Sequence, residues 1–291
     1  MEYSSHAKFS KYEGQVKNGK PDGRGNMTYK DGGFYIGEWQ NGVRHGQGYQ
    51  LYSTDSKNDT YDGSWKDDVE DGQGIVEYKN EEKYERGIAN GLRDGEGLLT
   101  YPESNEFNRE SYEGEWKEGN FSGNGTMIWQ NGEKHVGEWL NGFRHGHGTM
   151  IWEDGETYVG EWFNGFRHGH GVLKFAEHKL GFSYEGGWNF GKFSGNGTFI
   201  WKDGEKYAGE YLNDLRHGRG VETYPENDGL GRVSYDGRWR EGKQSGVGKL
   251  VWKNGERYVG EFQDDQQNGE GILYSATNKI LKQGHWKNGQ L

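Results

Sequence analysis

The sequence predicts an all-β fold: an elongated single-layer antiparallel β-meander, a β-hairpin solenoid of about 11–12 repeats. Three observations predict it. A tyrosine-led unit recurs with a basic step of 23 residues. Each copy carries two turn signals at fixed offsets. The aromatic residues keep the same register, with all 12 Trp at two positions of the unit.

Taken alone, the composition points elsewhere. Only 30% of the 291 residues are apolar, 53 are glycine, and the mean hydropathy is −1.17, values that lean toward a disordered chain. The 12 Trp, 19 Tyr and 13 Phe contradict that reading, because a solvated coil has no use for so many rings. Order here must come from something other than an aliphatic core.

The array opens at Tyr12, after a polar flank over residues 1–11. It restarts at Tyr35, Tyr61, Tyr84, Tyr112, His135, Tyr158, Tyr184, Tyr207, Tyr235 and Tyr258, with a partial copy from Lys282 running to residue 291. Counting from the leading residue as position 1, glycine stands at positions 12 and 14 in all eleven full copies. It also stands at position 3 except in the fourth, which has Arg86. The Trp residues fall at position 5 or 18, and 16 of 19 Tyr fall at positions 1, 5 or 18.

Each copy reads as two strands and two turns. Tyr, Gly and Trp at positions 1, 3 and 5 alternate with period two and share one face of a strand. Asn-Gly at positions 7–8, as in Asn41-Gly42 and Asn164-Gly165, is a hairpin signal because both residues accept positive φ. Positions 12–18 form the return strand, and a second turn follows at positions 20–21, as in Asp31-Gly32 and Asn254-Gly255. Glycine at position 3 leaves room for rings from neighbouring strands to lie across it. No apolar 3.6-residue period is long enough for a helix.

Steps of 26, 23, 28 and 23 residues follow both Tyr35 and Tyr158, so a longer unit of 123 residues is used twice. Thr100-Tyr101-Pro102-Glu103 returns as Thr223-Tyr224-Pro225-Glu226. Four insertions, near 53–60, 102–111, 176–183 and 225–234, occur at one point of the repeat. They are expected on one long edge, either as docking features or as drift in a duplicated gene.

Tyr112-Glu113-Gly114-Glu115-Trp116 and Tyr158-Val159-Gly160-Glu161-Trp162-Phe163-Asn164-Gly165 show the unit best. With Gly-x-Gly beyond, it resembles the MORN repeat (membrane occupation and recognition nexus) over residues 12–274. The resemblance implies a groove lined by repeated aromatics and a role as adaptor or scaffold, often in cytoskeletal or ciliary assemblies such as the radial spoke head of the axoneme. Arg86 and Ile88 in repeat four, His135 in repeat six and Ser275 in repeat eleven depart from the pattern. The first two interrupt the ring row, and the last reads as a C-terminal cap.

Several function classes find no foothold. With no cysteine, disulfides, thiol catalysis and thiolate metal sites are excluded. No apolar run approaches the ~18–20 residues of a membrane span, and Met1–Lys11 is polar, so a cytoplasmic protein is expected. A net charge of −11 argues against nucleic acid and anionic membrane as partners. His145-Gly-His147 and His168-Gly-His170 invite a zinc reading, but equivalent residues of adjacent hairpins lie ~10 Å apart. A solvated Arg–His column beside Glu138 and Glu161 is the expectation. The Gly-x-Gly pairs lack the strand-to-helix context of a phosphate loop, and the carboxylates are repeat-locked, with no unique acid–base pair. Neither an enzyme nor a cofactor is expected.

What remains is the aromatic stripe. A single layer cannot cover both faces, and exposed Trp and Tyr rows are preferred interface anchors. The expected partner-binding residues are Tyr112, Trp116, Trp129, Trp139, Trp152, Tyr158, Trp162, Tyr184, Trp188 and Trp201. The partners would be other proteins of a large assembly, or further copies of the chain through unpaired strand edges. A membrane or phosphoinositide tether is the alternative function, and it would need a basic face.

Overall fold

The computed structural model describes residues 9–291. The chain divides into two compact units, Met1–Phe143 and Arg144–Leu291. The first holds β1 (Phe9–Lys17), β2 (Lys20–Tyr29), β3 (Phe34–Gln40), β4 (Val43–Leu51), β5 (Asn58–Lys66), β6 (Val69–Tyr78), β7 (Lys83–Ala89), β8 (Leu92–Thr100), β9 (Arg109–Lys117), β10 (Asn120–Trp129) and β11 (Lys134–Leu140). The second holds β12 (Phe143–Ile151), β13 (Thr157–Phe163), β14 (Phe166–Lys174), β15 (Gly181–Asn189), β16 (Lys192–Trp201), β17 (Lys206–Leu212), β18 (Leu215–Thr223), β19 (Arg232–Arg240), β20 (Lys243–Trp252), β21 (Arg257–Gln263), β22 (Gln266–Tyr274) and β23 (Ile280–Trp286). Among the described residues there is no helix. Within each unit every strand pairs antiparallel with the next in chain order, so each unit is a meander, as the repeat pattern predicts.

The turn chemistry is the predicted one. Asn164 has φ +47° and Gly165 +86°, the left-handed pair of a two-residue hairpin turn. At the other end of the hairpins, Trp152 N–H donates to the Glu156 carbonyl and Gly155 N–H to the Trp152 carbonyl. The position-18 residue therefore stands at the root of the second turn, a ring in every full repeat but the eleventh, where it is Ser275.

The two glycines of Gly-x-Gly have different reasons to be glycine. In the β13–β14 pair, Gly160 faces Gly171 but Glu161 faces His168, so the return strand bulges at Gly169-His170. Gly169 takes φ +57° there, a conformation that costs any residue with a Cβ. At position 14 the cause is contact: a Cβ on Gly171 would fall 2.3 Å from the Tyr158 hydroxyl and 2.5 Å from its ring carbons. One on the facing position-3 Gly160 would fall 2.5 Å from the Gly171 Cα and 2.7 Å from the same hydroxyl. The ring that lies across the position-3 glycine thus belongs to the same repeat's own leading tyrosine, not to a neighbouring strand as expected. The reason is geometric: positions 1 and 3 share a face of β13, and the Tyr158 hydroxyl reaches the Glu161 carbonyl at 2.9 Å, which carries the ring along its own strand past the paired glycines.

The inserted loops follow β4, β8, β14 and β18, and each is pinned in the same way. The residue after the next position-18 ring donates its N–H to a loop carbonyl: Lys79 to Lys57, Gln130 to Asn108, Lys202 to Leu180, and Lys253 to Gly231. Asn105 and Asp228 stand 123 residues apart and each accepts the N–H four residues on, from Arg109 and Arg232. The duplication has kept loop architecture as well as loop length.

Candidate partner-binding face

One side of each sheet carries a ladder of interlocked rings. Tyr158 is fully buried between Trp162 and Trp188, with centroids at 5.1 and 5.2 Å and planes at 89° and 82°. The same edge-to-face geometry recurs at Tyr35 with Trp39 and Trp65, and at Tyr207 with Tyr211 and Trp239. Such pairs are favoured by the ring quadrupole, at about 0.5–1.5 kcal/mol each beyond burial. Most polar atoms of the ladder are used, the buried Tyr211 hydroxyl being an exception. The Tyr158 hydroxyl donates to the Glu161 carbonyl at 2.9 Å, and the Trp188 indole N–H donates to the Gly171 carbonyl at 3.2 Å. Burial holds the Tyr158, Tyr184 and Tyr207 phenols well above their ordinary range.

This ladder is the core, and that corrects the expectation of an exposed stripe. Tyr112, Trp116, Trp139, Tyr158, Trp162, Tyr184 and Trp188 are all buried, none more than 6% exposed. Each ring is covered by its neighbours and by a position-10 side chain lying over it. A sheet with no second layer therefore supplies its own lid. Trp129, Trp152 and Trp201, at position 18, are only half-buried. Ile88 keeps the column filled at repeat four, 5% exposed, although no ring stands there.

The lid is the feature that sequence reasoning missed. Position 10 of one repeat covers position 5 of the next. Arg44 stands 4.0 Å from the Trp65 ring centroid, Arg93 4.4 Å from Trp116, Arg144 4.4 Å from Trp162, Arg167 4.3 Å from Trp188, and Arg216 4.2 Å from Trp239. Where position 5 is Ile88, Tyr211 or Phe262, position 10 is Glu70, Phe193 or Gln244. Pro21, Phe121 and Gln267 precede Trp39, Trp139 and Trp286, so Arg goes with Trp at five of eight sites and with no other position-5 residue. That partial covariation was the available signal. The expected solvated Arg–His column is therefore corrected: strand alternation sends the arginines onto the indoles and the histidines that follow them to the opposite side, where His145 and His168 lie beside Phe163. Desolvation lowers the Arg167 pKa below its usual value, consistent with a guanidinium laid on a ring.

Beside the ladder, the half-buried position-18 rings border depressions. In the first unit a cavity of 410 Å³ is lined by Tyr29, Tyr52, Trp39, Arg44, Gln50 and Asp68 among others. In the second, one of 330 Å³ is lined by Tyr224, Trp252, Arg232, Gln244 and their neighbours. No group of three or more metal-ligating side chains is assembled among the described residues.

One titrating group interrupts this face. Position 16 is usually Met, Leu or Val, but Glu222 occupies it, 4% exposed and ion-paired with Arg216. Burial, with the Glu222 carboxylate beside it, pushes Glu205 from 4.5 up to about 7. A carboxyl that binds its proton more tightly when folded makes stability fall as pH rises from 4.5 to 7, and leaves it flat above. Glu205→Gln is accordingly expected to raise the melting temperature at pH 8 and leave it nearly unchanged at pH 5. Thermal melts of both chains across that range measure this.

The MORN repeat matches eleven stretches, residues 12–34, 35–57, 61–82, 88–106, 112–134, 135–157, 158–178, 184–206, 207–229, 235–257 and 258–279. Alsin of Mus musculus is 38% identical over 74 residues, 24% of this chain, and Alsin of Homo sapiens is 36% identical over the same length. The chain spans only 4% of the length of these curated relatives. Among solved structures, the TCP10 domain of Danio rerio CPAP in complex with a STIL peptide covers 95% of this chain and 100% of its own, at 9% identity and a TM-score of 0.26. The SAS-4 TCP domain of Drosophila melanogaster, with a proline-rich motif of Ana2, covers 64% and 78% at 12% identity and a TM-score of 0.23. Those superpositions are too loose to bear on function. The eleven matched repeats account for most of the sequence, and the chain belongs to the MORN repeat family.

Proposed function

We propose that this chain is a non-enzymatic scaffold that holds partner proteins along the ring-bearing face. The observation that carries the reading is the division of labour among the aromatics. Positions 1 and 5 are consumed by the fold, whereas Trp129, Trp152, Trp201 and Trp252 are half-buried. Half-buried tryptophans are the residue type that anchors interfaces, and Trp252 also borders a depression. Apart from the pair Glu205 and Glu222, the carboxylates are repeat-locked, which supports a binding role over a catalytic one. We place the protein in a cytoskeletal assembly, with the ciliary axoneme and its radial spoke head as the first setting to test, because repeats fill nearly all of the chain.

Cross-linking mass spectrometry on the native assembly tests this. Cross-links from partners should concentrate beside the position-18 rings. Trp152→Ala with Trp201→Ala should weaken the captured partner by about 2–4 kcal/mol while the melting temperature stays close to that of the parent. Recovery of no stable protein partner, or full affinity in the double variant, would retire the proposal.

A further inference from the structure

We infer that the ring face of each unit accepts an acidic partner segment of its own, with a carboxylate seated on Arg93 in the first unit and on Arg167 in the second. This deepens the partner-binding reading above and rests on it. The internal duplication supplies the control. Arg44 and Arg167 are equivalent residues, 123 apart, each stacked on a tryptophan. Arg44 finds an acid inside the protein: its Nε donates to Asp68 Oδ1 at 3.1 Å and its Nη1 to Gln50 Oε1 at 3.0 Å. At Arg167 those two places hold Gly191 and Leu173, and a single bond runs from Nη2 to the Gly191 carbonyl at 3.3 Å.

The second pair shows the opposite assignment. Arg216, over Trp239, is ion-paired with buried Glu222. Its equivalent Arg93, over Trp116, has Leu99 in that place. Within these two duplicated pairs, each unit thus holds one stacked arginine bonded to an internal carboxylate and one that is not. Glu156 and Asp214 act on Arg167 through space without a bond, and Arg144, stacked on Trp162, has Pro21 at its duplicate position. The fold seats the guanidinium either way, so the acid is not a structural requirement.

A guanidinium whose face is covered by an indole still has its in-plane N–H groups, which match a carboxylate in bidentate fashion. Partial burial strengthens such a bond and leaves the empty seat costly. Both arginines are half-buried, and each lies within 6 Å of an accessible position-18 ring: Arg93 is 5.9 Å from Tyr78 and Arg167 is 5.8 Å from Trp152. The seat therefore offers a ring for an apolar side chain and a cation for an acid next to it. A net charge of −11 repels an acidic segment at a distance, so the attraction is local.

The test is selection of a phage-displayed random peptide library on the full chain, followed by affinity measurement of the winners. Selected peptides should be rich in Asp and Glu beside an aromatic or aliphatic residue. Arg93→Gln or Arg167→Gln should weaken them about tenfold or more. Gly191→Asp should do the same by filling the seat from within. That change is tolerable, because Asp68 occupies the equivalent place at φ +70° while Gly191 has +84°. Should an arginine variant melt early, Gly191→Asp decides, since it keeps the arginine over its tryptophan. Selected peptides without an acidic excess, or acidic peptides that bind all three variants unchanged, would overturn the inference while leaving the ring face as a binding surface. Selection of no peptide at all would remove the binding reading itself.

Discussion

Replacing Trp188 by alanine is expected to cost about 3–5 kcal/mol of stability, the largest single effect in the second unit. The indole touches four side chains of the ladder and its lid. Tyr158 and Tyr184 meet it edge to face at 5.2 and 5.3 Å, Phe193 stands 4.8 Å away, and Arg167 covers it. Its N–H also satisfies the Gly171 carbonyl. Alanine would leave a void, an unsatisfied carbonyl and a guanidinium with no ring beneath it. Trp188→Phe should cost far less, about 1–2 kcal/mol, because Phe262 already fills the same column elsewhere. Denaturant unfolding gives the magnitude. Hydrogen exchange shows whether the loss is confined to β14–β16, as expected where each repeat contacts only its neighbours.

Gly160→Ala is expected to cost about 3 kcal/mol, although it adds a single methyl group on an extended strand. The new Cβ would lie 2.5 Å from the Gly171 Cα and 2.6 Å from the His170 carbonyl oxygen. Backbone cannot yield as a side chain can. The chain contains its own precedent: Arg86, the one non-glycine in that column, sits at φ +101°, far from the extended conformation of its neighbours. Gly155→Ala is the contrast. It adds a Cβ into open space at φ +83°, so only the left-handed backbone penalty of about 1–2 kcal/mol should appear. Chemical denaturation of the two variants side by side separates crowding from conformation.

The repeat made much of the fold legible in advance. Asn-Gly at positions 7–8 and Gly-x-Gly at positions 12–14 specify turn, bulge and register by local backbone chemistry, and these are visible one residue at a time. The two jobs of the glycines were not, since one is set by φ and the other by the Tyr158 ring, whose place against Gly171 appears only once β13 and β14 are in register. The fate of the aromatics was half legible. Alternation places Tyr158 and Trp162 on one face, but alternation alone does not say what covers that face. The answer lay in Arg167, read as half of a solvated Arg–His pair because His168 follows it. Adjacent residues on a strand point to opposite sides, so a dipeptide is a poor unit of reading in a sheet. Glu205 and Glu222 were hidden for another reason: Glu205 looks like one more repeat-locked acid, Glu222 breaks an apolar position without showing a partner, and only pairing of β16, β17 and β18 brings them together.

Hydroxyl-radical footprinting of the intact chain tests most directly whether the tryptophans divide into a buried ladder and an accessible row. Trp129, Trp152, Trp201 and Trp252 should be oxidised readily. Trp39, Trp65, Trp116, Trp139, Trp162, Trp188, Trp239 and Trp286 should stay protected until the chain unfolds. Comparable oxidation of both sets in the folded protein would contradict the account.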